Sequence, residues 1–336
     1  MLLVTGATGY VGAALVALLR ERGLAVRAAV RTPERAGLLP PGVPWVVAEL
    51  TDPAAMRRAA EGCEGVFHLA ASVGRSAEET RRLNVVGTAT VLAAARAAGV
   101  RRFVHTSSGA AIVDSAGLVS EHATGSTALV DPYSTSKAEA ERLVLAANGI
   151  SAGIGAGNGA GNGAGISAGN GAGNGAGDAL ETVVLNPAGI YGPSPAGPSS
   201  YNALFAAAAR GEVAEVVDAT VGWVLAEDVA LGHLLAYRHG RGGQRYVLCG
   251  EIAGFGAVLH RYAELVGSPH RVRALPPGSS LGPDASTFAS RSEVYGKLGP
   301  VRVDDTGARA LGFEPTGLAD LLARTAAWMS GATGPG

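Results

Sequence analysis

Thr5-Gly6-Ala7-Thr8-Gly9-Tyr10-Val11-Gly12, directly after the apolar run Leu2-Leu3-Val4, decides the fold of this 336-residue chain. The apolar run reads as a short buried strand. Gly6 permits the tight turn off it, Gly9 lets the backbone come close to a pyrophosphate, and Gly12 lets the next helix pack on the strand. Val11, Leu15, Leu18 and Leu19 recur at helical spacing and Gly23 stops the pattern, so a helix is expected over 10–22. Its first amides and its dipole make a ready site for a phosphate. A glycine triplet alone is a weak signal. The strand before it and the largely apolar run 24–30 after it supply the context the motif needs.

Working outward, strand-like and helix-like segments alternate. Strands are expected at 2–5, 25–30, 46–48, 65–68, 103–106 and 182–185, with helices near 10–22, 53–60, 78–98 and 132–147. Alternation of this kind specifies an α/β fold, a doubly wound parallel sheet covered by helices on both faces. Residues 1–186 then form a dinucleotide-binding domain, to which 221–249 returns. After Pro187 the segments are shorter and less regular, and 187–220 with 250–330 are expected to form a smaller, partly helical C-terminal substrate lobe over the carboxyl ends of the strands. Residues 149–177 stand apart: they repeat Gly-Ala-Gly-Asn, and no charge occurs between Arg142 and Asp178. Such a composition buries too little apolar surface to offset the entropy of ordering it, so a flexible surface insert is expected.

The bulk numbers narrow the function. A net charge of −1 argues against nucleic acid or an anionic membrane surface as the main partner. The two cysteines, Cys63 and Cys249, have no metal-ligand spacing, so no metal is expected, and they fit a reducing, cytoplasmic setting. A strand starting at residue 2 leaves no room for a signal peptide, and no apolar run reaches the roughly 20 residues of a membrane span.

The chemistry points to Tyr133 and Lys137, four residues apart at the start of a helix and therefore on one face. A free phenol titrates near ~10, and a nearby ammonium favours the phenolate. Proton transfer by a phenol so tuned suits reduction of a carbonyl, where a developing alkoxide needs a proton. Ser107 and Ser108 follow the strand ending at Thr106, where a hydroxyl can reach a substrate oxygen. A Tyr-x-x-x-Lys pair also arises by chance in many helices; the dinucleotide fingerprint upstream and the serines at a strand end favour the chemical reading.

The chain resembles the extended short-chain dehydrogenase/reductase superfamily. The resemblance rests on Thr5–Gly12, His68-Leu69-Ala70-Ala71, Asn84-Val85-Val86-Gly87-Thr88, Thr106-Ser107-Ser108, Tyr133-Ser134-Thr135-Ser136-Lys137 and Asn186-Pro187-Ala188-Gly189-Ile190-Tyr191-Gly192-Pro193. These come in family order and spacing and cover most of the chain; Asn186-Pro187 and Val30-Arg31 resemble the dihydroflavonol reductase-like branch most. The resemblance implies a Rossmann-type fold and a Ser108–Tyr133–Lys137 triad, with Ser107 as the fallback serine. In it Ser108 polarises the carbonyl, Tyr133 donates the proton, and Lys137 holds the nicotinamide ribose and lowers the phenol. It also implies cofactor contacts from Gly6, Thr8, Gly9, Tyr10, Val11, Gly12, Leu50, Leu69, Ala70, Ala71, Thr106, Asn186, Ala188 and Ile190. Glu49 stands where the family usually has Asp for the adenine amine. Asn84 is expected to be structural.

NAD-specific sites carry an acidic residue about 20 positions after the glycines, on the ribose 2′-hydroxyl. Here Arg31 occupies that region, with Arg35 near it, and a guanidinium matches a 2′-phosphate. NADP(H) is the expected cofactor and NAD(H) the alternative, with Glu34 as the residue that could still reach a ribose. The expected activity is NADPH-dependent reduction of a small or medium carbonyl compound, with that carbonyl or alcohol as partner and a homodimer as an option. The alternatives are a sugar-nucleotide epimerase or dehydratase with tightly bound NAD, and a non-catalytic dinucleotide sensor. Arg210 is the sole arginine in 187–210 available to clamp a diphosphate. His105, Cys63 and Cys249 are expected to be packing residues, His122 a loop residue, and Glu227-Asp228 a cap for the helix after them.

Overall fold

Every side chain of strand β1 (Leu2–Thr5) is buried, as a parallel strand covered on both faces requires. A computed structural model describes residues 1–73, 76–151, 179–195 and 197–331. β1 is flanked by β2 (Val26–Val30), with β3 (Trp45–Val47) beyond it. On its other side lie β4 (Gly65–His68), β5 (Arg102–Thr106), and the strands Ala179–Pro187 and Arg245–Leu248. All these neighbours run parallel. The chain moves outward from β1 to β3 and then returns to β4 on the opposite side. The order therefore reverses between β1 and β4, and their carboxyl ends flank the crevice where such sheets bind ligands.

The helices form where the apolar spacing and caps place them. Tyr10–Glu21 buries Val11, Leu15, Val16 and Leu19, which pack with Val229 and Leu234 of helix Ala226–His239 on one sheet face. The other face holds Met56, Ala59, Val91, Leu92 and Val144. Asp52 starts helix Pro53–Ala60 by accepting from the amides of Ala54 and Ala55. The helix expected over 78–98 is interrupted: Ala77–Arg81 and Gly87–Ala97 are joined by a wide π turn over Arg82–Val86. Inside that turn Asn84 bridges Ser72 and Ser136, a local device that periodicity does not register.

A second core lies beyond the carboxyl ends of the sheet. Trp223, Tyr191, Phe205, Tyr201, Phe255 and Tyr262 form an aromatic cluster, with ring centroids 5.1 Å apart for Tyr201–Trp223. Strand Thr220–Leu225 pairs with Gly189–Tyr191 and Glu251–Gly254 in this region, whereas Arg245–Leu248 joins the main sheet. Helices Tyr201–Ala209, Phe255–Leu265 and Leu318–Met329 contribute to this core. Helix Thr287–Tyr295 and the paired strands Glu215–Val217 with Arg273–Leu275 and Leu118–Ser120 with Arg302–Asp304 were not expected, because so short a segment is decided by the partner it meets. Of the insert expected at 149–177, residues 152–177 lie outside the described residues; Ile150–Ser151 pairs antiparallel with Ala179–Leu180. Among the described residues, no helix is long and apolar enough to cross a membrane.

Candidate active site

The glycine turn is packed as tightly as its sequence suggests. Gly6 has φ +72°, and a Cβ there would come within 2.7 Å of the Ala70 amide nitrogen in the turn after β4. A Cβ on Gly12 would land on the Gly6 carbonyl oxygen, so a side chain is excluded there. Gly9 is exposed and begins helix Tyr10–Glu21 with no side-chain cap and no acidic residue in the first turn. The helix thus presents amide donors and positive dipole that no side chain of the described residues caps, an arrangement that fits a pyrophosphate. Val11 is buried in the core and offers only its backbone to a ligand, while Thr8 and Tyr10 are partly exposed. Burial, then the Glu227 charge, raises the Tyr10 phenol well above its usual range.

Around the crevice, Leu69 and Ala70 are partly exposed and Ala71 exposed past the end of β4. Arg31 and Arg35 are exposed beyond the end of β2, and among the described residues neither forms an ion pair. Glu34 is exposed, and a hydrogen bond from Thr32 holds its carboxyl below its usual value. Glu49 and Leu50 are partly exposed after β3. Beneath the site His68 is bonded to Thr5 at 2.7 Å and Thr88 at 2.9 Å, and burial lowers it to about 3. His105 is buried and stacked on His68, their ring centroids 5.4 Å apart. Both cysteines are buried and free, and His122 is exposed.

The polar constellation gathers at the end of β5. Ser107 is 4 % exposed with its hydroxyl unpartnered. Ser108 is more open; its hydroxyl accepts from the Ala110 amide at 3.2 Å and acts on the Tyr133 phenol by hydrogen bonding. Asp131 caps helix Pro132–Ala146 by accepting from the Ser134 amide at 3.1 Å, and Pro132 at the first position suits the turn. One turn beyond Tyr133, Lys137 is 2 % exposed and donates to the Thr106 carbonyl at 2.6 Å. Desolvation pulls its ammonium down to about 8, against the Glu141 charge, which acts upward.

Burial raises the Tyr133 phenol, with Ser108 and then Arg291 acting downward, while the Lys137 ammonium is directed at the Thr106 carbonyl. Glu227 and Asp228, expected to cap the following helix and to partner its dipole, lie inside the first turn of Ala226–His239, which suits the dipole; the cap position is Leu225, and Asp228 accepts from the Thr316 amide and hydroxyl.

Three further polar residues were missed. Glu141, four positions past Lys137 and 1 % exposed, accepts from Asn186 Nδ2 at 2.7 Å and pairs with Arg245. Asn186 Nδ2 also donates to the Ser108 carbonyl at 3.1 Å, so its side chain braces the serine turn, while Ala188 and Ile190 remain partly exposed. Arg291, 8 % exposed, comes from helix Thr287–Tyr295 to pair with Asp131 at 2.8 Å. Glu141 was findable by extending the Tyr133–Lys137 spacing one more turn. Arg245 and Arg291 have no local signal.

Residues 2–249 match the model of the NAD dependent epimerase/dehydratase family. The chain belongs to that family. It is 32 % identical over 350 residues to sterol demethylase protein B of Methylococcus capsulatus, covering 97 % of each chain. A ketoreductase of Stigmatella aurantiaca, named for a 3-oxo-farnesyl-dihydroquinoline oxide, is 40 % identical over 151 residues, 44 % of this chain and 45 % of that one. Among solved structures, MoeE5 in complex with UDP-glucose and NAD superposes with a TM-score of 0.71 at 26 % identity, over 98 % of both chains. Members of the family use a nicotinamide dinucleotide on small-molecule substrates, and its relatives here include named reductases and dehydrogenases; the protein is an enzyme of the oxidoreductase class.

Proposed function

We propose that this family member is an NADPH-dependent ketoreductase. What supports the proposal is that Ser108 hydrogen-bonds the Tyr133 phenol while Lys137, one turn on, donates to the Thr106 carbonyl at the end of β5, in a fold whose β1 leads into an uncapped glycine-rich helix start. Gly6, Gly9 and Gly12 would hold the pyrophosphate, and Lys137 and the backbone near Ala188 and Ile190 the nicotinamide end. A reduced nicotinamide bound there supplies a hydride to a carbonyl carbon. Tyr133 holds the proton that the resulting alkoxide takes up; because its phenol is raised by burial, it stays protonated at neutral pH and acts as the acid. Ser108 fixes the carbonyl oxygen opposite Tyr133. Losing the phenolic proton to substrate leaves a phenolate that Ser108 and Arg291 favour, which lowers the barrier to the transfer.

The preference for the phosphorylated dinucleotide is supported by Arg31 and Arg35, both exposed and without an ion pair among the described residues, and by Glu34 being engaged with Thr32. Ketoreductase action draws support from the Stigmatella relative and from a 2-alkyl-3-oxoalkanoate reductase of Stenotrophomonas maltophilia. The rival is a sugar-nucleotide epimerase, favoured by the UDP-glucose complex of MoeE5. Against it, Arg210 is exposed and paired with Glu212 at 2.6 Å. The deciding experiment offers ketones, 3-oxo acids and their esters with NADPH and follows loss of nicotinamide absorbance, beside UDP-hexoses followed for epimerisation. Reduction of a carbonyl compound supports the proposal. Epimerisation without net oxidation, with NAD copurifying, overturns it.

A further inference from the structure

We propose that Arg291 is a positioning residue of the Tyr133 site, reaching across from the C-terminal part of the chain to clamp the start of helix Pro132–Ala146 and to set a cation against the Tyr133 ring. The inference rests on the reading of Tyr133 as the proton donor. The guanidinium carbon lies 5.6 Å from the centroid of the Tyr133 ring and 5.3 Å from that of Tyr295. Its Nη1 donates to Asp131 Oδ1 at 2.8 Å and its Nη2 to Ser134 Oγ at 3.4 Å. Ser134 Oγ in turn donates to Asp131 Oδ2 at 2.6 Å, so the cap, the first helical turn and the arginine form one closed set of bonds.

This arrangement exceeds what capping needs. Asp131 already starts the helix through the Ser134 amide. A second residue, 160 positions away and 8 % exposed, brings a full charge into a half-buried aromatic setting. Burying a guanidinium is costly unless it is paired and bonded, and among the described residues one carboxylate pairs with it. The rings of Tyr133 and Tyr295 supply further stabilisation for the cation. In return the charge acts on Tyr133, whose other charged or titratable neighbours are Asp131 on the cap, Tyr295 on the arginine's own helix and Tyr201 on helix Tyr201–Ala209, with Lys137 one turn on but turned to the Thr106 carbonyl. Arg291 does so from helix Thr287–Tyr295, in the C-terminal part of the chain.

The test is a titration of the Tyr133 phenol itself, read from the ultraviolet difference between each protein and the same protein carrying Tyr133→Phe. Arg291→Gln removes the charge while keeping donors for Asp131 and Ser134. It is expected to move the phenol midpoint upward by about one pH unit, roughly tenfold less phenolate at a given pH. Arg291→Lys is expected to restore most of it. Asp131→Asn, which keeps a good cap, removes an anion and is expected to move the midpoint down. Opposite shifts in the two neutralised variants support the proposal, since a purely structural clamp would move both the same way or neither. An unchanged midpoint in Arg291→Gln with a native melting curve overturns it. Should Arg291→Gln not fold, Asp131→Asn decides: a midpoint moved down supports the proposal, and an unchanged one overturns it. The titration needs no turnover, so activity surviving in Tyr133→Phe would overturn the proton-donor reading without touching this result.

Discussion

Lys137→Met is expected to stabilise the protein while disabling it. The wild-type ammonium is 2 % exposed and sits at about 8 instead of the usual 10.5. A difference of that size means that burial disfavours the charged form by roughly 3 kcal/mol. Methionine matches the length of the side chain and carries no charge. Against the gain stands the unpaired Thr106 carbonyl, which costs about 1–2 kcal/mol when its 2.6 Å donor is removed. Glu141 keeps Arg245 and Asn186, so no anion is stranded. The balance is about 1–2 kcal/mol in favour of the variant at pH 7, or a few degrees in Tm. The pH dependence follows from the direction. A folded-state lysine at about 8 binds fewer protons than the unfolded chain between pH 8 and 10.5, so wild-type stability rises through that window, and the variant's advantage is full below pH 8, lost within the window and reversed above it. The assay is chemical denaturation of both proteins without dinucleotide at pH 7 and at pH 10, with a cofactor titration showing weaker binding by the variant. A variant less stable at pH 7, or an advantage that does not shrink by pH 10, would refute the reasoning.

Three other outcomes are expected. Arg31→Ala should lower NADPH affinity roughly ten- to hundredfold and leave NADH affinity nearly unchanged, since a charge-assisted contact contributes about 1.5–3 kcal/mol; calorimetric titration of both cofactors checks it, and equal losses count against Arg31. Gly12→Ala should destabilise the fold by about 1–3 kcal/mol because its methyl group meets the Gly6 carbonyl oxygen, whereas Gly9→Ala, whose Cβ meets that oxygen only at 3.2 Å, should leave the melting temperature nearly intact and still weaken dinucleotide binding. Glu141→Ala should cost about 3–5 kcal/mol by leaving Arg245 without its carboxylate, and should lower turnover through the freed Asn186 and serine turn; a melting curve like wild type's would show the pair to be dispensable.

How much of this was legible varied with distance along the chain. The glycine turn was read from eight consecutive residues because its constraints are local: φ +72° at Gly6 and a helix pressed onto a strand need particular residues at fixed offsets. The alternation of strands and helices was legible for the same reason, each helix being marked by apolar spacing and a start signal such as Asp52-Pro53. The Tyr133–Lys137 pair was visible because a helix brings positions four apart onto one face. Boundaries were blurred where partners extend a strand, as for Ala179–Pro187, which pairs with β5 and Arg245–Leu248 along different halves.

What the sequence determined alone is therefore the parallel α/β framework, the phosphate-binding turn and the spacing of the Tyr133–Lys137 pair. All of these depend on contacts within a turn or two of chain. Only the tertiary structure decided which charges meet at the site. Arg291 finds Asp131 across 160 residues, Arg245 finds Glu141 across 104, and Lys137 turns to the Thr106 carbonyl. Charge acts through space, and its strength depends on burial; neither the separation nor the burial of two residues so far apart in the chain is written in their local sequence.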